Sequence, residues 1–174
     1  MCRTPSRHHG YAVSCTRLLG CCQYGRSACV SAVSKPSRLS CTWFAGAAVY
    51  ITAVEHPARL SCGTEIAATQ WAPSYKRATV MQVTLAVVAT VAGIMHWWQG
   101  AGDMWLYGAL LIFSVIPFTA IVVLPTNKKL LAPSRDLGSA ETRTLLEAWG
   151  RLHAVRSAAS VAASVLFMWA SRPS

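Results

Sequence analysis

Acidic side chains are scarce in this chain. There are six Asp and Glu in 174 residues, and none stands before Glu55. All charged residues together make up 13% of the chain, about half the share of a soluble domain. Such a chain, 53% hydrophobic with mean hydropathy +0.37, cannot be solvated by water on every side. Other absences narrow the function. No phosphate-binding glycine loop, HExxH or nucleophile elbow occurs, which removes nucleotide hydrolases, zinc proteases and serine hydrolases. A membrane thiol oxidoreductase needs a Cys-x-x-Cys pair, and Cys41 and Cys62 are too far apart to form one. A haem would want facing histidines, whereas His56 and His153 both lie outside the apolar cores. No metal site is expected. The net charge of +10 is spread between apolar runs and not along one face, so no nucleic-acid partner is expected either.

What the chain does have is long uncharged stretches. ATVMQVTLAVVATVAGIMHWW (78–98) and MWLYGALLIFSVIPFTAIVVL (104–124) contain no Asp, Glu, Lys or Arg, and LHAVRSAASVAASVLFMWA (152–170) is charged only in its first turn. At about 1.5 Å per residue, some 20 residues cross a hydrocarbon layer of about 30 Å. All three read as membrane helices. Trp97, Trp98 and Trp105 flank the WWQGAGDMW connection as an interfacial aromatic belt would. A fourth span is weaker: CTWFAGAAVYITAV (41–54) would be only about 21 Å long, and KPSR (35–38) is expected to stop it from growing. The predicted fold class is therefore an all-α, four-helix transmembrane bundle whose first span is short or incomplete. It occupies residues 41–171 and makes a multi-pass membrane protein with the lipid bilayer as its surroundings.

Residues 1–40 differ from the rest. They carry six Lys or Arg, five Cys and no acid, and they show neither helical nor strand periodicity. No apolar core of a secretory signal precedes Cys41. The cysteines lack the closely paired spacing of a structural zinc site. The segment reads as a disordered arm, transit-like or not native to the protein. The segments 55–77 and 125–151 together carry Arg59, Lys76, Arg77, Lys128, Lys129, Arg135, Arg143 and Arg151. The positive-inside rule places both in the cytoplasm.

Three polar clusters gather on that basic side: EHPARL (55–60) with WAPSYKRA (71–78), LPTNKKLL (124–131) and EAWGRLHAVR (147–156). In this order over residues 43–170 they resemble the DUF1772 family, the anthrone-oxygenase-like integral membrane proteins. The resemblance implies a four-helix membrane protein. It also implies, for some members, oxidation of a tricyclic anthrone to an anthraquinone by O2 without metal, flavin or other cofactor. Before residue 41 this chain departs from the family pattern.

Read as residues alone, Trp149, His153 and Arg156 stand at i, i+4 and i+7 and share one helix face. Glu55 and Arg59 are also i, i+4, and Pro57 suits the first position of a short helix. An anthrone oxidation needs a base for a weakly acidic C–H and a stabiliser for the oxyanion that results. His153 fits the first role, since imidazole ordinarily titrates near neutrality. Arg156 fits the second as a fixed cation. Glu55, His56, Arg59, Tyr75, Asn127 and Trp149 are the candidate substrate-binding residues, with Trp71 and Trp149 placed to stack on a flat lipophilic aromatic substrate. The same residues have a plainer reading. Arg and His at a helix end anchor it at the headgroups, Glu55–Arg59 is a loop ion pair, and the protein is a non-enzymatic scaffold or lipid-binding bundle. Ser157, Ser160, Ala163 and Ser164 form a small-residue face for a close helix contact, within the bundle or in a homodimer.

Overall fold

The computed structural model describes residues 35–172, so the reading of residues 1–34 lies outside the described residues. Four helical rods follow in chain order: α1 (35–61), α2 (Thr64–Trp98), α3 (Asp103–Leu130) and α4 (Ala140–Ala170). No strand occurs among the described residues. α2, α3 and α4 are each long and apolar enough to cross a membrane. The chain is a multi-pass membrane protein of the expected all-α class.

The bundle is turned inside out relative to a soluble one. Val80, Val83, Val87 and Val91 of α2, Leu110 and Phe113 of α3, and Val161, Val165 and Met168 of α4 are exposed. Gln82, His153, Arg156, Ser157 and Ser160 are buried. Lipid solvates the apolar faces, so the polar side chains turn inward, where they can be paired.

Helix length locates the site. α2 has 35 residues, about 52 Å at 1.5 Å per residue, some 20 Å more than a hydrocarbon layer needs. Its first part, which ends at Lys76 and Arg77, therefore projects past the membrane together with the start of α4. That projecting collar has a core of its own, centred on Trp71, Val123, Leu146 and Trp149. A separate core at the other end contains Phe44, Trp105, Ile112 and Phe167. Phe167 rests against Gly93 and Gly108, where an added Cβ would lie 3.0 Å and 2.8 Å from its ring.

The first rod departs from expectation. KPSR does not stop it: residues 35–38 are helical, and Ser37 is buried. Proline constrains the residue before it and the carbonyl four residues back, while its fixed φ suits the helix that follows. Pro57 does stand in the first turn of a short α-helical segment, His56–Ser61, but that segment continues α1 without a break. α1 runs into it by way of a widened π-helical turn, Ile51–Glu55. α3 does the same at Thr119–Val123, just before Leu124 and Pro125. In both cases the residue before the proline donates its N–H five residues back, His56 to Ile51 O and Leu124 to Thr119 O. The proline ring crowds the carbonyl at i−4, and the turn opens by one residue to accommodate it.

The small-residue face of α4 packs within the chain, against α1. Ser157 Oγ lies 3.0 Å from Ala48 O, and Ser164 Oγ donates to Cys41 Sγ at 3.3 Å. This close seam sets the depth of α1 relative to His153.

Candidate functional site

A narrow polar throat runs between the rods where the collar meets the membrane segment. Trp149, His153 and Arg156 of α4 line it, opposite Glu55 and Arg59 of α1 and Ser74, Tyr75 and Gln82 of α2. Its free volume is about 20 Å³, room for one water.

The widened turn of α1 delivers Thr52 to His153. Thr52 Oγ1 lies 3.0 Å from His153 Nδ1 and 2.8 Å from Ser157 Oγ, and it donates to Ala48 O at 2.9 Å. When the single Thr52 hydroxyl proton is given to that carbonyl, the Thr52 oxygen accepts from Nδ1–H. Nε2 of the imidazole is then the basic nitrogen. Pro57→Ala is expected to let this turn close into an ordinary α-helix and carry Thr52 away from α4. Disulfide trapping checks it: Thr52→Cys with Ser157→Cys, other cysteines replaced, should cross-link readily while Pro57 is kept, and severalfold more slowly once Pro57→Ala is added.

Arg156 is 7% exposed and donates through Nη2 to Gln82 Oε1 at 2.9 Å. Arg156 Nε and Gln82 Nε2 are buried without an acceptor. Three ion pairs form among the described residues, Arg59–Glu55, Arg135–Glu141 and Arg143–Glu147, and Arg156 is in none of them. Glu55 is committed to Arg59 and also accepts from Ser74 Oγ at 3.1 Å. Arg59 Nε donates onward to Gln70 Oε1 at 3.3 Å. This network fastens α1 to α2 across the outer mouth of the throat.

Aromatic rings form the floor. Trp149 lies 4.9 Å from His153, 5.1 Å from His56 and 5.7 Å, edge-on, from Trp71, which stacks on Tyr75 at 5.0 Å. Two larger spaces adjoin the throat. An apolar cavity of about 240 Å³ between α1, α2 and α3 is lined by Phe44, Val83, Val115 and Ile116, and it meets the throat at Tyr75, Gln82 and Arg156. An open groove of about 510 Å³ between α1 and α2 meets it at Ile51, Glu55 and Ser74.

The structure therefore brings together six of the eight candidate site residues: Glu55, Arg59, Tyr75, Trp149, His153 and Arg156. His56 is not on the throat. It sits behind Trp149, with Nε2 donating to Leu146 O at 3.0 Å. Asn127 is fully buried in α3 with both amide atoms unpartnered, and it lines none of these three spaces. Thr52, Ser157 and Gln82 were not expected. Gln82 did carry a signal, as the one amide in an uncharged run of 21 residues. Among the described residues no group of three or more His, Cys, Asp or Glu is placed to hold a metal ion.

Burial, and secondarily the Arg59 charge, hold the His56 imidazole below its ordinary titration range. The unfolded chain then takes up a proton that the folded one refuses, so stability is constant above the ordinary value of about 6.5 and falls as pH drops beneath it. Thermal unfolding in detergent should show this loss as pH falls below about 6.5, and His56→Gln should lessen it.

Comparison with known proteins bears on the same stretch of chain. The model of the anthrone oxygenase family matches residues 71–166, from the first tryptophan of the throat to beyond Arg156. The anthrone oxygenase tpcL of Aspergillus fumigatus is 39% identical over 70 residues, which make up 38% of this chain and 44% of that protein. The chain thus matches less than half the length of this relative. No solved structure matches. With more than half of the chain inside the family model, this protein belongs to the anthrone oxygenase family.

Proposed function

We propose that the protein is a cofactor-independent oxygenase that converts an anthrone-like, flat lipophilic substrate to the corresponding ketone with O2. One observation carries the reading: a buried imidazole and a buried guanidinium that is in no ion pair line one throat, which opens into an apolar cavity. A scaffold gains nothing from keeping such a charge out of water, a cost of several kcal/mol. A lipid-binding bundle would be served by the exposed bases of the collar alone.

The apolar body of the substrate occupies the cavity, and its carbonyl oxygen faces Arg156. His153 removes a proton from the methylene, and the electron pair spreads onto that oxygen beside the guanidinium. O2 adds at the carbon, and the proton held by His153 passes to the terminal oxygen to give a hydroperoxide. Loss of the second C–H proton to His153 breaks the O–O bond and expels hydroxide, which takes that proton and leaves as water. One O2 is consumed, and one C=O and one H2O are formed. The resting imidazole is restored.

The test is oxygen consumption by the protein in nanodiscs with a model anthrone, set against spontaneous autoxidation. Uptake well above the autoxidation rate is expected. Uptake no faster than autoxidation would reduce the family membership to one of fold for this substrate.

A further inference from the structure

The throat holds a charge imbalance that is present before any reaction begins. It contains one carboxylate, Glu55, and two guanidiniums, Arg59 and Arg156. Glu55 is neutralised by Arg59, so the positive charge of Arg156 is left over. The other polar groups facing it, Gln82, Tyr75 and His153, bring no negative charge at neutral pH. Gln82 is 2% exposed, and its oxygen is spent on Arg156 while its amide nitrogen has no acceptor. Arg156 retains a buried Nε–H in the same condition. The two side chains line both the throat and the apolar cavity, so donors and positive charge are in excess where the two spaces join. A buried guanidinium without a counter-charge is costly, and the deficit is one acceptor bearing one negative charge.

We propose that the junction of throat and cavity is a binding site for lipophilic aromatic anions, with Arg156 reading the charge and Gln82 fixing the position of the acceptor oxygen. This deepens the oxygenase reading and rests on it for the orientation of the substrate: the ligand carries an acidic phenol or carboxyl, ionised before any chemistry begins. Gln82 is then a specificity-determining residue, since its amide supplies the donor that a neutral hydrocarbon cannot use. Arg59 is excluded from the role by its pairing with Glu55 and Gln70.

Two probes of nearly the same shape test this without oxygen chemistry: anthracene-9-carboxylate and neutral 9-(hydroxymethyl)anthracene. Binding is followed by quenching of tryptophan fluorescence in phosphatidylcholine nanodiscs, with empty nanodiscs as the partition control. The carboxylate should bind at least about tenfold more tightly, roughly 1.4 kcal/mol, the least expected of one charge-assisted hydrogen bond. Arg156→Gln should erase the preference, Arg156→Lys should keep most of it, and Gln82→Leu should reduce it severalfold. Equal affinity of the two probes for the unaltered protein would overturn the proposal. So would a preference that survives Arg156→Gln, since the charge would then be read by Arg77 in the outer groove. If Arg156→Gln fails to fold, the Lys and Gln82 variants and the comparison in the unaltered protein still decide. Anion binding without oxygen uptake would uphold this site and sink the oxygenase, and charge-blind binding with oxygen uptake would do the reverse.

Discussion

His153→Ala should lower anthrone-dependent oxygen uptake by about 10²–10⁴-fold, the usual share of a general base, while the protein stays folded and inserted. The imidazole is 2% exposed and held at Nδ1 by Thr52. Its removal enlarges a polar throat that already has room for one water, and water can fill the void. The stability cost should therefore be about 1–3 kcal/mol, small beside the loss in rate. Added imidazole separates base from brace. A small base that enters the void should restore part of the uptake at constant fold, whereas a purely structural His153 would give no rescue. Arg156→Ala should also abolish uptake, but without rescue by imidazole. Normal uptake in both variants would move the reaction away from this throat.

Gly150→Ala should destabilise the collar, although alanine is the better helix former by about 1 kcal/mol. A Cβ at residue 150 would stand 2.6 Å from His56 Nε2 and 2.7 Å from its Cδ2. His56 is buried, hydrogen-bonded to Leu146 O and packed on Trp149, so its ring has no low-energy retreat. Overpacking of this kind costs about 1–3 kcal/mol, and losing the bond to Leu146 adds about 1 kcal/mol. The net expectation is a loss of about 1–3 kcal/mol, read as a lower midpoint of thermal unfolding. A second substitution tests the cause. In a His56→Ala background the clash is gone, and Gly150→Ala should become neutral or stabilising. Equal destabilisation in both backgrounds would show that His56 is not the obstacle.

The fold and about half of the site could be read from the residues. Membrane helices announce themselves because lipid tolerates few charges, and α2, α3 and α4 contain long runs without any. Trp149, His153 and Arg156 were legible because helical spacing alone puts them on one face. Glu55 and Arg59 were legible for the same reason, although the π turn just before His56 means that the α1 register could not be extrapolated backwards to Thr52. Thr52 was hidden for that reason: its arrival at His153 depends on one extra residue in a turn, and no pattern of apolar positions records it. Gln82 and Ser157 were visible as polar residues within apolar stretches, but which partner each would meet depended on the packing between helices. Asn127 and His56 show the converse. Both are polar and lie in the right loop-proximal clusters, yet Asn127 is buried within α3 away from the throat, and His56 serves as the packing block that Gly150 admits. KPSR was misread because a proline and two bases look like a stop, although proline resists only the helix on its N-terminal side.

The two widened turns have a consequence for how this chain can change. Each holds one residue more than a regular helix needs, and the helix on either side keeps its own phase. Deleting one residue within 51–55 or within 119–123 should therefore leave the outward valines and phenylalanines facing the bilayer and the inward serines facing their seam. The scaffold would tolerate the shortening. The site would not survive the first of these deletions, because the surplus residue in 51–55 is what brings Thr52 within reach of the imidazole. Length variation confined to that turn is thus a route by which relatives of this protein can keep the bundle and exchange its chemistry.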